Sequence, residues 1–170
     1  MKEFTPSSIR KRSSGQNLDP YLSRRPPEDR AVCRGCHAVY HNRHWTLTIG
    51  GNGKIRHKGP ENGPMVLCPA CQKIGDRFPS GVIQLKGAYL KLHRTDIINL
   101  IRNEETRARG FNPLERIMSI HETADGLKIE TTSEKLAQRI GNRLQRAHKG
   151  EVHYHWSNNE HFVRVEWARD

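Results

Sequence analysis

Two Cys-x-x-Cys pairs, Cys33-Arg34-Gly35-Cys36 and Cys68-Pro69-Ala70-Cys71, constrain this chain more than any other feature. Each pair can bend into a tight knuckle whose backbone N–H groups point at the sulfurs. Two knuckles brought together by hairpins make a tetrahedral shell of four thiolates, the closed geometry of a structural zinc site. The 31 residues between Cys36 and Cys68 are long for a ribbon, and the glycine-rich "GGNGKIRHKGPENG" absorbs the excess. A metal would also compensate for a thin core. Only 34% of the 170 residues are hydrophobic, and metal-binding free energy can stand in for apolar burial.

Other uses of cysteine pairs fit less well. A thioredoxin-like site needs one Cys-x-x-Cys beside a βαβ pattern, whereas here two pairs stand in β-like surroundings. A zinc deaminase needs an upstream His-x-Glu and a proline before the second pair, but Leu67 precedes Cys68. An iron–sulfur cluster also takes four thiolates, so zinc against iron stays open. His37, His41 and His44 cluster with Asn42 after the first pair and make a small metal-dependent nuclease the alternative reading. Hard-cation hydrolysis usually wants carboxylates as well, and Glu61 alone lies nearby.

Charge is concentrated in one stretch. The formal net charge is +11, and residues 31–94 hold ten basic residues against Glu61 and Asp76. Residues 1–30 hold seven basic and four acidic residues, and residues 95–170 hold twelve of each. Positive charge confined to one module is the electrostatic footprint expected of nucleic-acid binding. The "MKEFTPSSIRKRSSG" start has no apolar signal-peptide core, and no run of about 18 apolar residues follows. The expectation is a cytoplasmic protein with reduced cysteines and no membrane partner.

Three regions are expected. Residues 1–30, with "SIRKRSSGQ" and "LSRRPPEDR", read as a basic disordered arm. Residues 31–92 read as the zinc ribbon, with short β runs "VYHNRHWTLTI", "MVL" and "GVIQL". Its basic loop is not a Walker A loop, because Thr48 and Ile55 stand at the defining positions. The ribbon would display Arg34, Arg43, Lys54, Arg56, Lys58, Lys73 and Arg77, with Tyr40 and Trp45 either stacking on bases or packing inside.

Residues 93–170 read as an antiparallel α+β domain of order α-β-β-α-β-β. Thr95 caps the first helix and Gly110 ends it. "LERIMSIHE", the turn "ADG" and the alternating "LKIET" give two strands. A capping box from Thr131 to Glu134 opens the second helix, Leu136, Ile140 and Leu144 mark its buried stripe, and Gly150 closes it. Val152, Tyr154 and Trp156, then Val163, Val165 and Trp167, mark two final strands. On the outer face of the second helix, Lys135, Arg139, Arg143, Arg146 and Lys149 form a ridge for phosphate contact or a solvated face. His153, His155 and His161 lack a third convergent ligand, and no nucleophile–base–acid set occurs, so no enzyme is expected.

The stretches "VCRGCHAVYHNRHW", "LCPACQKIGDRFPSGVIQL", "NPLERIMSI" and "TTSEKLAQRIGNRLQRAHKGEV" resemble a bacterial zinc-ribbon family. That family is grouped with the nonsense-mediated-decay adaptor proteins, whose archaeal and eukaryotic members bind the large ribosomal subunit for export or maturation. The resemblance covers residues 31–168 and implies a ribosome- or RNA-associated protein. Cys33, Cys36, Cys68 and Cys71 match the zinc positions, and "DG" before a strand and capped helix matches the adaptor-like α/β domain.

The combined expectation is a non-enzymatic ribosome-binding protein with one structural zinc and no small-molecule substrate. It would obstruct or protect a functional site, as in dormancy or quality control. Arg10, Lys11, Arg12, Arg24, Arg25, Arg34, Arg43, Lys54, Arg56, Lys58, Arg77, Arg139, Arg143 and Arg146 would contact RNA. Besides the nuclease, a zinc-ribbon adaptor to protein or DNA is the competing reading.

Overall fold

A computed structural model describes residues 19–22, 26–47, 63–157 and 161–170. Among them the chain forms two sheets and four helices. The expected arm, apart from Asp19–Leu22 and residues 26–30, lies outside the described residues, as does most of the glycine-rich loop.

The small sheet contains β1 (Val32–Cys33), β2 (Val39–His41), β3 (His44–Thr46) and β4 (Met65–Val66), in the order β3-β2-β1-β4. The β2–β3 hairpin closes through Asn42 and Arg43, both left-handed at φ 49° and 65°. Two consecutive positive φ values match the right-handed twist of the flanking strands, the usual two-residue hairpin solution. Tyr40 and Trp45 stand opposite one another with ring centroids 5.3 Å apart. Each is only 9% exposed, so both rings belong to the ribbon's own core. β4 then lies parallel to β1 and leads into α1 (Pro69–Gly75).

The large sheet contains β5 (Gly81–Lys86), β6 (Ile117–Thr123), β7 (Gly126–Thr131), β8 (Glu151–Trp156) and β9 (Val163–Ala168), ordered β6-β7-β5-β9-β8. Here the structure departs from the sequence reading in two ways. "GVIQL" leaves the ribbon and becomes the central strand of the large sheet. The sheet is also mixed, since β5 runs antiparallel to β7 but parallel to β9. Val82, Ile83 and Leu85 are buried almost without interruption, as expected of a strand flanked on both sides. Counting α2 (Ala88–Leu92), α3 (Arg94–Phe111) and α4 (Glu134–His148), this unit runs β-α-α-β-β-α-β-β.

Helices cover one face of the sheet. Leu136, Ile140 and Leu144 of α4 are fully buried with Ile97 and Ile101 of α3 and with Ile83, Ile129, Val165 and Trp167 of the strands. Close approach requires a glycine in α4. A Cβ on Gly141 would lie 2.8 Å from Val165 Cγ1 and 2.9 Å from the Tyr154 hydroxyl. The α4 cap is Ser133, whose Oγ accepts from the Lys135 N–H at 3.2 Å, and not Thr131. Thr131 is held as the last residue of β7, opposite Gly81. Likewise α3 starts at Arg94 after His93, with no side-chain cap, because α2 delivers the chain directly into it.

Leu114 and Lys73 help to fasten the ribbon to the large sheet. Leu114 packs against the ribbon core. Lys73, on α1, points inward: its Nζ reaches Asp19 Oδ2 at 2.5 Å, Ser80 Oγ at 2.7 Å and the Thr132 carbonyl at 3.3 Å. Lys73 is therefore a buried anchor and not part of the displayed basic surface.

Candidate metal centre

The first cysteine pair occupies the turn between β1 and β2. The Cys33 N–H donates to the Ala38 carbonyl and the His37 N–H to the Cys33 carbonyl, both at 2.8 Å. His37 takes a left-handed φ of 60°, which lets the chain leave the knuckle into β2. The second pair is built differently from the expected hairpin knuckle, because it sits at the start of a helix. Cys68 caps α1 in extended conformation, Pro69 supplies the first-turn proline, and Cys71 lies within the first turn. The Cys71 N–H faces Cys68 Sγ at 3.5 Å, and the Cys68 N–H donates to Cys33 Sγ at 3.3 Å. Free helix N–H groups favour negative charge, so this position stabilises thiolates.

All four sulfurs lie within 4.8 Å of one another, and Cys36 Sγ is 3.6 Å from Cys68 Sγ. Sulfurs around a tetrahedral ion with metal–sulfur bonds of about 2.3 Å stand about 3.8 Å apart, so the cluster fits one ion. The cysteines are unlinked by disulfides. Gly35 supplies a second sign of fit, since a Cβ there would come 2.9 Å from Cys71 Sγ. The knuckle thus leaves no space for a side chain where the sulfur must sit. As thiols, the residues share protons unequally. Side-chain hydrogen bonds with Cys36 and then Cys68 hold Cys33 far below the usual thiol range. Cys36 is pushed up to about 11, chiefly by its bond with Cys33, and bonds with Cys33 and Cys36 together with burial raise Cys68. A cation that replaces the shared protons would be bound by all four sulfurs.

One partner of the cluster comes from the large-sheet unit. Arg116, just before β6, directs Nη1 at Cys71 Sγ at 3.2 Å. Four thiolates around a divalent ion retain net negative charge, which a guanidinium offsets by a charge-assisted hydrogen bond. The cysteine spacing does not point to Arg116, which lies 45 positions from Cys71 within "NPLERIMSI". The glycine of Cys-Arg-Gly-Cys was a sequence signal for the close approach.

The histidines of the hairpin do not converge on a metal. His41 Nδ1 lies 3.1 Å from Asp29 Oδ2, and Asp29 Oδ1 accepts from the Asn42 N–H at 3.1 Å. His44 is exposed opposite His41. Among the described residues, the four cysteines form the one group of three or more side chains able to hold a metal ion.

The basic residues divide into two kinds. Arg34 in the first knuckle, Arg43 at the hairpin tip and Arg77 beyond α1 are exposed, and among the described residues no carboxylate pairs with them. Arg139 and Arg143 of the α4 ridge are instead paired internally. Arg139 bridges to Glu115, and Arg143 Nε bridges to Glu104 at 2.8 Å; both carboxylates are buried. Arg146 is exposed in the last turn of α4. Arg10, Lys11, Arg12, Arg24, Arg25, Lys54, Arg56 and Lys58 lie outside the described residues. Among the described residues no helix is long and apolar enough to cross a membrane. Comparison with family models, with curated proteins and with solved structures finds no match to this chain.

Proposed function

We propose that this chain is a non-enzymatic zinc protein of the cytoplasm that binds ribosomal RNA and obstructs or protects a functional site of the ribosome. One zinc, held by Cys33, Cys36, Cys68 and Cys71, would fix the ribbon; a four-thiolate shell leaves no open position, so its role is structural. The observation that carries the reading is where the unpaired charge sits. Residues 31–80, the ribbon with α1, carry seven basic residues against Glu61 and Asp76. Residues 81–170 carry fifteen basic and twelve acidic residues, and two α4 arginines there are consumed by buried glutamates. Phosphate affinity is therefore assigned to the metal-stapled unit, with Arg34, Arg43 and Arg77 as its described contacts. The large-sheet unit would set orientation. Blocking a site needs adhesion alone, which such a surface supplies without reaction chemistry. The test is co-sedimentation of the chain with ribosomes through sucrose at low and high salt. Binding through phosphates travels with ribosomes at low salt and is lost steeply as salt rises; a chain that stays at the top at low salt refutes the reading.

A further inference from the structure

Beside the metal centre lies a groove of about 830 Å³ lined by the β2–β3 hairpin, α1, the end of α3 and, before β1, Tyr21, Leu22, Pro26 and Pro27. The aromatic pair Tyr40 and Trp45 of the β2–β3 hairpin forms one side, Pro69 and Gln72 of α1 a second, and Phe111 at the end of α3 a third. The volume falls within the range of about 300–1,000 Å³ usual for sites that enclose a small organic group.

Three observations say what would enter. First, Phe111 is 89% exposed although it lines the groove, so its ring offers a bare π-face. Tyr40 and Trp45, at 9% exposure each, are committed to the ribbon core and serve as floor. Second, none of the described residues lining the groove is an aspartate or glutamate, while Arg43 and His44 stand at its edge. The site is therefore complementary to an anion joined to a flat ring. Third, Leu67 and Pro69, which flank Cys68, line the same groove, so the fold of the metal centre shapes it. A concave site of this kind suits a base splayed out of a single strand, the form in which proteins read RNA by stacking.

We infer that this groove is a stacking site for an unpaired RNA base, with the ring of Phe111 against the base and Arg43 on the neighbouring phosphate. The inference rests on the RNA-binding reading and deepens it: the ribbon grips backbone charge generally, and Phe111 adds a contact that requires a base.

The test uses the full zinc-loaded chain and two labelled probes of equal length and charge. One is a single-stranded oligoribonucleotide of about ten nucleotides, the other its abasic counterpart. The wild type should bind the base-bearing probe on the order of 10-fold more tightly than the abasic one. Phe111→Ala should erase that preference with unchanged salt dependence. Phe111→Trp should restore it, with indole emission quenched on binding. Because the side chain is exposed, an unaltered unfolding midpoint accompanies both variants. Equal binding of the two probes by wild type, or a Phe111→Ala chain that still prefers the base-bearing probe, overturns the stacking site and leaves RNA binding standing. Failure of wild type to bind either probe at low salt overturns the RNA reading itself. Tighter, Phe111-dependent binding of an acidic peptide of matched charge would assign the groove to protein and overturn the inference.

Discussion

Arg116 Nη1 donates to Cys71 Sγ at 3.2 Å, so a residue of the large-sheet unit completes the surroundings of the ribbon's metal cluster. The bond joins the two units alongside the contacts of Leu114 and the buried Lys73. Metal binding at the four cysteines and the seating of the ribbon on the large sheet are thereby linked.

Arg116→Ala should lower zinc affinity by about 10–100-fold, the usual cost of losing an outer partner of a metal ligand. Competition with a chromogenic chelator under reducing conditions measures it. Arg116→Lys keeps a charge but loses the planar fork, so its affinity should fall between the two. Equal affinity in all three chains would show that the contact does nothing for the metal.

Gly35→Ala places a methyl group 2.9 Å from Cys71 Sγ and should weaken zinc binding. Gly75→Ala is the matched control. Nothing lies within 4 Å of a Cβ there, and alanine in a helix is favoured over glycine by about 0.5–1 kcal/mol. Chelator competition and thermal unfolding should separate the two variants in opposite directions.

Lys73→Ala removes the partner of Asp19 at a site where both side chains are largely covered. Breaking one side of a buried ion pair costs about 3–5 kcal/mol, and urea unfolding should register a loss of that order. A loss below about 1 kcal/mol, as for a surface pair, would contradict the anchoring role.

Arg139→Ala and Arg143→Ala leave the buried Glu115 and Glu104 without their main cations, so each should destabilise the chain by about 2–4 kcal/mol. Neither should change the salt dependence of RNA binding much. Arg43→Ala and Arg77→Ala should do the reverse, sparing stability and reducing the salt slope by about one unit each. Binding isotherms at several salt concentrations, paired with unfolding curves, check both halves.

Chelation under reducing conditions should melt the ribbon while the large sheet persists. The ribbon core is small and includes Cys33, Cys36 and Cys68, whereas the large core contains none of the cysteines. Trp45 reports on the first and Trp167 on the second, so single-tryptophan variants should show separate transitions. Protons compete for the same sulfurs, with Cys36 pushed up to about 11 and Cys68 also raised. Metal binding therefore releases protons and weakens as pH falls.

Local patterns carried part of this fold and long-range pairing carried the rest. The stripe Leu136, Ile140 and Leu144 and the alternation of Leu127 and Ile129 were legible, because period and burial agree. "GVIQL" is a short apolar run close to Cys71, and a run without alternation does not say which sheet it enters. Its place is decided by β7 and β9, which follow it by about forty-five and about eighty positions. Thr131 and Ser133 can both cap a helix. The choice fell to Ser133 because Thr131 is held in register with Gly81. At the metal centre the four sulfurs were readable from spacing, whereas the Arg116 contact depended on how the two units dock. The α4 ridge looked free in sequence because Glu104 and Glu115 lie on other parts of the chain.

The most direct test of the whole account is ribosome co-sedimentation of the zinc-loaded and metal-stripped chain side by side at low salt. The account predicts that the loaded chain travels with ribosomes, that stripping the metal abolishes this, and that restoring zinc recovers it. A loaded chain that remains at the top of the gradient, or a stripped chain that travels equally well, would contradict it.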